Sequence, residues 1–571
     1  MSQPIPAIVA QGAVHRLPRA ALLLLCIAYV LPGFIGREPW KSADMTAFGY
    51  MLELVHGAPD WFAPQLMGLT PEVDALLPYW LGAWAMQLGP TWVSPDFAAR
   101  IPFILLLTIA LFATWYGAYY LARSPEAQPV AFAFGGEALP PDYARAMADG
   151  GLLAFIACLG LAQLSHETTP ALAQLCFTAL SFYGVAALPY RKATPALCGV
   201  LGLSGLAMSG APTIATLLGT GSAVIHLLVR EPESGSARHK VLFAGSIALL
   251  TALVVLLASW LDLWRWRIEL PEASWTEWRS LGRLLLWFTW PAWPLALWTL
   301  WRWRRQLVGA GAPGLHLALP LWFVSVSLGA TLTTASADRS LLLALPALAA
   351  LAAFALPTLG RSVAALIDWF TLIFFSGCAF VVWVVWIALQ TGVPRQPAAN
   401  VARLAPGFEH SFSVAPFLVA IAATLAWAWL VKWRTGRHRA AIWKSLVLPA
   451  GGAALCWLLL MTLWLPLLDF ARSWTSVVHR TVLVVQQPPC VEALGLSRGQ
   501  IAAFGFHGNL LMKPAGAQGQ CTWMIVDKSA LTLRTVFVDQ RQWKLHSTIS
   551  HSADRDEDVL VYGRAPEATA P

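Results

Sequence analysis

Charge is scarce in this 571-residue chain: Asp, Glu, Lys and Arg together make up 12% of it, about half the share of an ordinary soluble domain. So few ionised groups cannot cover a water-facing shell, which excludes a fully soluble enzyme. Disorder is excluded by the opposite property. It requires low hydrophobicity, and 57% of these residues are apolar. The sequence has no Cys-x-x-Cys pair and no His/Cys cluster, so it encodes no finger-type metal site. It also lacks a phosphate-binding Gly-rich loop, a dinucleotide fingerprint and a G-x-S-x-G elbow in a supporting context. What remains is a polytopic membrane protein. Its 30 Trp residues suit the amphipathic belts at membrane interfaces.

A hydrocarbon core of roughly 30 Å asks for about 20 mostly apolar residues per helix. Thirteen such runs are read at 18–36, 98–122, 150–165, 170–188, 194–208, 211–229, 241–262, 283–301, 315–333, 340–356, 364–391, 413–431 and 445–468. With the N-terminus inside, the inner loops carry 18 Lys and Arg, including Arg16, Arg19, Arg230, Lys432, Arg437 and Arg439, while the short outer loops carry only Arg339. Arg265, Arg267, Arg279 and Arg283 form one contrary outer segment. The positive-inside rule then places the C-terminus outside. The net charge of +8 is read as topological, not as a nucleic-acid surface. The first span exits through LPGFIGREPW without a small-x-small cleavage site, so it reads as a retained anchor.

Two outer regions are long: 37–97, and 470–571, which follows a transmembrane domain of residues 1–469. The first has helical spacing at Met45, Phe48, Met51, Leu52 and Val55, with Ser42 or Asp44 available as a cap, and a second apolar stretch from Leu76 to Leu88. Both read as amphipathic helices along the outer interface. The second is read as a small α/β domain. TVLVVQQ, CTWMIVD, LTLRTVFVD and DVLVYG are its strand-like runs, and VEALGLSRGQIAAFGF is its helix. Of eight cysteines, only Cys490 and Cys521 lie in this outer segment, where an oxidising compartment should pair them.

Three groups of residues are candidates for chemistry. Asp44 stands beside Arg37, Glu38 and Lys41. It is either a helix cap among solvated charges or an ionised base whose neighbouring cations hold a phosphate. His166 and Glu167 lie in the short loop SHETTP. They are either ordinary interfacial polarity or two ligands of an incomplete metal site. Arg339 opens a span, where it either snorkels to headgroups or clamps an anion. Ionisable residues inside the spans are few, Asp368 being the clearest, which argues against a coupled pump.

The order of these features resembles the C-type glycosyltransferases, in the branch of bacterial aminoarabinose transferases and protein O-mannosyltransferases. GREPWKSADMTAFGYML is similar to that family's Arg-Glu-Pro-Trp-Lys-x-Asp-Glu opening, with Asp44 in the place of the essential acid. DWFAPQLMG is similar to the stretch that follows it. Pro78, Tyr79 and Trp80 match the end of Glu-Lys-Pro-Pro-Leu-Tyr-Tyr-Trp. SADRSLLLALPALAALAA resembles the family helix that carries Arg339. The resemblance implies an all-α bundle of about thirteen transmembrane helices with a small C-terminal α/β periplasmic domain, in the bacterial inner membrane. It implies transfer of a sugar from a polyprenyl-phosphate donor to a lipid A, glycan or protein acceptor on the outer face.

By the same resemblance, Asp44 and Glu167 are the catalytic carboxylates, and Arg37, Lys41 and Arg339 hold the donor phosphate. Glu38, Asp74, His166 and Tyr79 support them. No cofactor is required, and a divalent metal stays open. The partners implied are the polyprenyl-linked sugar, a lipid or protein acceptor and membrane lipids, with no nucleic acid. Departures are Met45 in place of Glu, Ala75 near an expected Lys with Asp74 or Glu72 as the acid, Ser209 in place of Lys, and Pro170 in place of an Asp. Two alternatives accompany this reading: a catalytically degraded relative that binds the lipid carrier or a partner, and a lipid or solute transporter.

Overall fold

The computed structural model describes residues 5–41, 43–57, 60–229, 237–264, 268–271, 274–308, 314–334, 337–436, 441–516, 521–533, 536–551 and 557–565. Ser42, Arg230, Arg265, Arg267, Arg437 and Arg439 lie outside the described residues. Two compact units are formed. One comprises residues 1–34, 103–379 and 418–459; the other comprises 35–102, 380–417 and 460–571.

The first unit is helical. Across the described residues of the whole chain, seven helices are long and apolar enough to cross a membrane: Pro95–Ala122, Pro170–Ala187, Lys240–Trp260, Leu315–Thr333, Arg361–Thr391, Val414–Arg434 and Ile442–Leu463. Shorter apolar helices include Arg19–Val30, Ala193–Met208, Pro212–Leu228 and Leu345–Ala355. In lipid every backbone polar group needs an internal partner, so such runs have little choice but to be helical. Two of the expected spans are broken. Residues 283–301 fall on two helices, Trp275–Phe288 and Ala292–Arg302, parted at Pro291; residues 340–356 fall on Ala337–Leu342 and Leu345–Ala355, parted just before Pro346. Proline lacks the N–H that would continue the ladder.

Packing in this unit relies on small residues. The Ala-rich helix Leu345–Ala355 is buried along its whole length against Pro140–Ala157 and Ala292–Arg302. Between Pro170–Ala187 and Ala193–Met208, a Cβ on Gly202 would stand 2.4 Å from Ser181 Oγ. Without a hydrophobic drive inside lipid, helices gain from such close approach.

The second unit holds the helices Ala43–Val55, Leu77–Leu88, Leu465–Arg472, Thr475–Val485 and Arg498–Gly508 and one sheet. The strands are β1 (Val491–Leu494), β2 (Met512–Pro514), β3 (Trp523–Asp527), β4 (Trp543–Ile549) and β5 (Val559–Arg564), in the order β2-β1-β3-β5-β4. β1 is parallel to β2 and β3, while β5 is antiparallel to β3 and β4. Cys490 and Cys521 are joined in a disulfide that ties the start of β1 to the residues before β3. Ser497 and Gln500 close a capping box at the head of Arg498–Gly508, as S/T-x-x-E/Q predicts.

Several expectations for this region are corrected. TVLVVQQ is not a strand, because Val477, Val478, Thr481 and Val485 share one buried helical face that packs on Arg498–Gly508. Tertiary burial here overrides the β preference of valine. The described residues of LTLRTVFVD form no strand, and VEAL, read as the start of a helix, is β1. The helix Ala43–Val55 does not lie bare on an interface. It buries Asp44, Met45, Ala47, Phe48 and Met51 and packs on Arg498–Gly508. Gly49 permits this, since a Cβ there would stand 2.5 Å from that of Ala502.

Candidate functional site

Residues 37–41 run extended ahead of the helix Ala43–Val55, and their polar groups, with Asp44, meet a second stretch, 469–475, a few residues beyond the last long apolar helix. Asp44 lies in the first turn of its helix and does not sit at the cap position. Its Oδ2 accepts from Arg37 Nη2 at 2.7 Å and from the Trp40 backbone N–H at 3.1 Å. Both members of this ion pair are buried, with side chains 0% and 1% exposed. Arg100, also buried, donates to the Arg37 carbonyl and lies 3.4 Å from Asp96.

The Trp40 ring ties the two stretches together. Its Nε1–H donates to Asp469 Oδ1 at 2.7 Å, and the Arg37 and Arg472 guanidinium groups lie 4.6 Å and 4.9 Å from its ring centre, within cation–π range. Burial, aided by the nearby Glu38 charge, pushes the Asp469 carboxyl up to about 7, against the opposing pull of the Trp40 bond and the Arg37 charge. Glu38 accepts from Ser473 Oγ and Thr475 Oγ1, each at 2.5 Å. Lys41 Nζ reaches Glu557 at 2.5 Å, and its backbone N–H donates to the Arg472 carbonyl at 2.6 Å. Asp469, Arg472, Arg100 and Glu557 were all missed in the sequence. Asp469 directly follows the last apolar run, a position that draws attention only once its partners are known.

Of the remaining candidates in this unit, Asp74 is half-buried and Glu72 pairs with Arg498 at 3.1 Å. Tyr79 is buried 5.5 Å from the Tyr50 ring, and burial raises its hydroxyl above the usual tyrosine range. Ala75 is buried.

The other unit holds Glu167, Arg339 and His166. Glu167 lies between helices, where its Oε1 accepts from Gln163 Nε2 at 3.1 Å and its Oε2 is 3.3 Å from Arg339 Nη2. Arg339 follows Asp338, whose carboxylate accepts the Arg339 backbone N–H at 2.9 Å, and its side chain stays 26% exposed. His166 turns inward, with Nε2 3.0 Å from the Tyr29 carbonyl and Nδ1 2.5 Å from that of Ala162. Its ring packs against Phe34 and Trp457. The adjacent His166 and Glu167 therefore serve different environments. Among the described residues, no group of three or more His, Cys, Asp or Glu side chains gathers in a way that suits a metal ion. Ser209 is buried and donates to the Gly205 carbonyl at 2.7 Å.

No family model and no curated protein matches the sequence. Among solved structures, the chain is similar to ArnT from Cupriavidus metallidurans bound to undecaprenyl phosphate, with a TM-score of 0.62 and 13% identity over 97% of this chain and 100% of that one. It is also similar to the same organism's ArnT in the apo state, with a TM-score of 0.55 and 12% identity over 95% and 96%. The shared property is the fold, including the mostly helical body and the small C-terminal sheet.

Proposed function

We propose that this chain is a multi-pass glycosyltransferase of the C type. It moves a sugar from a polyprenyl-phosphate donor to an envelope acceptor, whether lipid A, another glycan or a protein, on the periplasmic face of a bacterial inner membrane. Thirteen crossings, an inner N-terminus and an outer C-terminal domain complete the reading. The observation that carries it is the buried Arg37–Asp44 pair, placed at the head of a helix in a fold shared from end to end with an ArnT that binds undecaprenyl phosphate.

In this reading the acceptor oxygen attacks the anomeric carbon as the bond to the carrier phosphate breaks. The phosphate leaves with the electron pair, and the acceptor proton passes toward Asp44. Arg37 orients Asp44. Lys41 neutralises the departing phosphate, which is the main electrostatic task of such a site; in the helical unit, Arg339 is the cation open to a carrier phosphate. Glu167 directs Arg339, and His166 fixes the loop that presents Glu167. Glu38 anchors the approach to Asp44, while Tyr79 and Asp74 support the second helix of the 37–97 region.

The test compares membranes with and without the protein, supplied with a labelled polyprenyl-phosphate sugar. Sugar appearing on lipid or protein, together with free polyprenyl phosphate, supports the reading. Equal label in both membranes overturns it. A second reading, a degraded relative that only binds the carrier, is favoured by Ala75 and Ser209. Both positions are buried, and neither offers the positive charge that the family resemblance leads one to expect. Polyprenyl phosphate binding without sugar transfer would select it.

A further inference from the structure

One cavity in the helical unit has no part in the proposed chemistry. It measures about 950 Å³ and is walled by Arg19–Val30, Val414–Thr435 and Val447–Leu463. Its lining is apolar except for His15 and Arg16 at one end, and it includes none of Arg37, Lys41, Asp44, Glu167 or Arg339. This volume lies at the upper end of ordinary small-molecule sites. Trp427, Trp433 and Trp443 belong to the wall. The Trp443 N–H donates to the His15 carbonyl at 2.7 Å and that of Trp427 to Ser376 at 3.0 Å, while Trp433 stacks on Trp443 at 6.3 Å. With the donors of Trp427 and Trp443 used inside the protein, those two rings offer the cavity apolar faces.

The polar end is cationic. Arg16 lines it with a side chain 63% exposed, pairing with Asp142 at 3.2 Å. Arg19 follows two residues after the lining Leu17 and is exposed. Lys432 and Arg434 flank the lining Trp433 without lining the cavity themselves, and Arg434 is bonded to Asp368. An apolar trough with a cationic mouth complements an amphiphile with an anionic head. Resting on the orientation proposed above, the mouth belongs to the inner leaflet. The carrier phosphate, in contrast, must react at the outer face.

We propose that this cavity is a binding site for an anionic glycerophospholipid of the inner leaflet, with an acyl chain between Leu24, Trp427 and Leu455 and its phosphate at Arg16 and Arg19. The full-length protein is placed in phosphatidylethanolamine nanodiscs containing phosphatidylglycerol with a photoreactive acyl chain, and adducts are mapped by mass spectrometry. Adducts should concentrate on residues 17–28, 423–433 and 441–458, and unlabelled phosphatidylglycerol should compete better than phosphatidylcholine. Ala426→Trp fills the cavity from an exposed position and should cut those adducts by about tenfold, the effect of roughly 1.4 kcal/mol. Arg16→Glu with Arg19→Glu should abolish the preference over phosphatidylcholine while acyl labelling persists.

Adducts spread evenly over all exposed helices would reduce the site to ordinary boundary lipid and overturn the proposal. So would stronger displacement by undecaprenyl phosphate than by phosphatidylglycerol. The wild-type map and competition decide the matter even if Ala426→Trp does not fold. Labelling needs no sugar transfer, so a failed transferase assay with intact labelling counts against the function alone. A reporter fused at the C-terminus checks the orientation separately.

Discussion

Asp469 accepts the Trp40 indole N–H at 2.7 Å, and the backbone N–H of that same tryptophan holds Asp44 at 3.1 Å. One aromatic residue thus links the carboxylate that the sequence singles out to another that lies 425 residues further along the chain. Because the Trp40 ring also sits between two guanidinium groups, a change of charge at Asp469 acts on the surroundings of Asp44.

The first prediction concerns pH. Asp469 titrates at about 7 in the folded protein, against about 3.9 in an unfolded chain. The folded state therefore keeps a proton that the unfolded chain releases. The stability this provides is full below about pH 4 and is lost as pH rises through about 7. Asp469→Asn preserves an acceptor for Trp40 and removes the titration. Melting temperatures in detergent between pH 5 and pH 8 should fall more steeply for the wild type than for the variant. His507, which burial pushes down, works in the opposite sense but is common to both proteins. Parallel curves would show that Asp469 does not change charge over this range.

How much of this was legible in the sequence varies with the range of the contacts. The long helices were, because a bilayer core imposes runs of about 20 apolar residues and few other structures satisfy such a backbone. The segment holding Arg37, Lys41 and Asp44 was, because those charges are close in sequence. Asp469, Arg472 and Glu557 were not, because their meeting with residues 37–44 is a long-range contact with no periodic trace. β1 and β2 are only four and three residues long, too short for alternation to declare itself. TVLVVQQ was misread because valine content was weighed without the buried face that decides its form.

The Arg37–Asp44 pair predicts strong coupling. Removing one partner of a buried ion pair typically costs about 3–5 kcal/mol, so Asp44→Asn should lower stability as well as abolish transfer. Arg37→Met should do the same. The double variant should be markedly less destabilised than the sum of the singles, since it leaves no lone charge. Unfolding of the three variants measures the coupling. Additive losses would mean that the two side chains act independently.

Packing at Gly49 gives a test away from charge. Gly49→Val brings a Cβ to 2.5 Å from that of Ala502, on the short helix that also carries Phe506 against Phe48 at 4.8 Å. Overpacking of this kind costs about 1–3 kcal/mol. Ala502→Gly beside it should recover part of the loss. Protease resistance of the second unit is the readout, and an unaffected Gly49→Val would show that these helices separate easily.

Arg339 separates a working transferase from a bystander. Its Nη2 stands 3.3 Å from Glu167, a contact longer than the usual charge-assisted bond of about 2.7–2.9 Å, and a quarter of its side chain remains exposed. Such an arginine is oriented but not consumed by its carboxylate. Its remaining N–H donors suit two phosphate oxygens at once, a fork that lysine cannot reproduce. Neither Ala75 nor Ser209 supplies a cation, so the carrier phosphate depends more heavily on Arg339. Losing one charge-assisted bond costs about 1.5–3 kcal/mol, which corresponds to an affinity for polyprenyl phosphate at least about tenfold weaker in Arg339→Lys. Arg361→Lys, an exposed site at the start of the helix Arg361–Thr391, should bind as the wild type does. Glu167→Gln should loosen Arg339 and weaken binding less than Arg339→Lys, because the guanidinium itself is retained. Titrating the purified variants with polyprenyl phosphate measures all three. Equal affinity throughout would make Arg339 a headgroup anchor and move the weight to the carrier-binding relative without transfer.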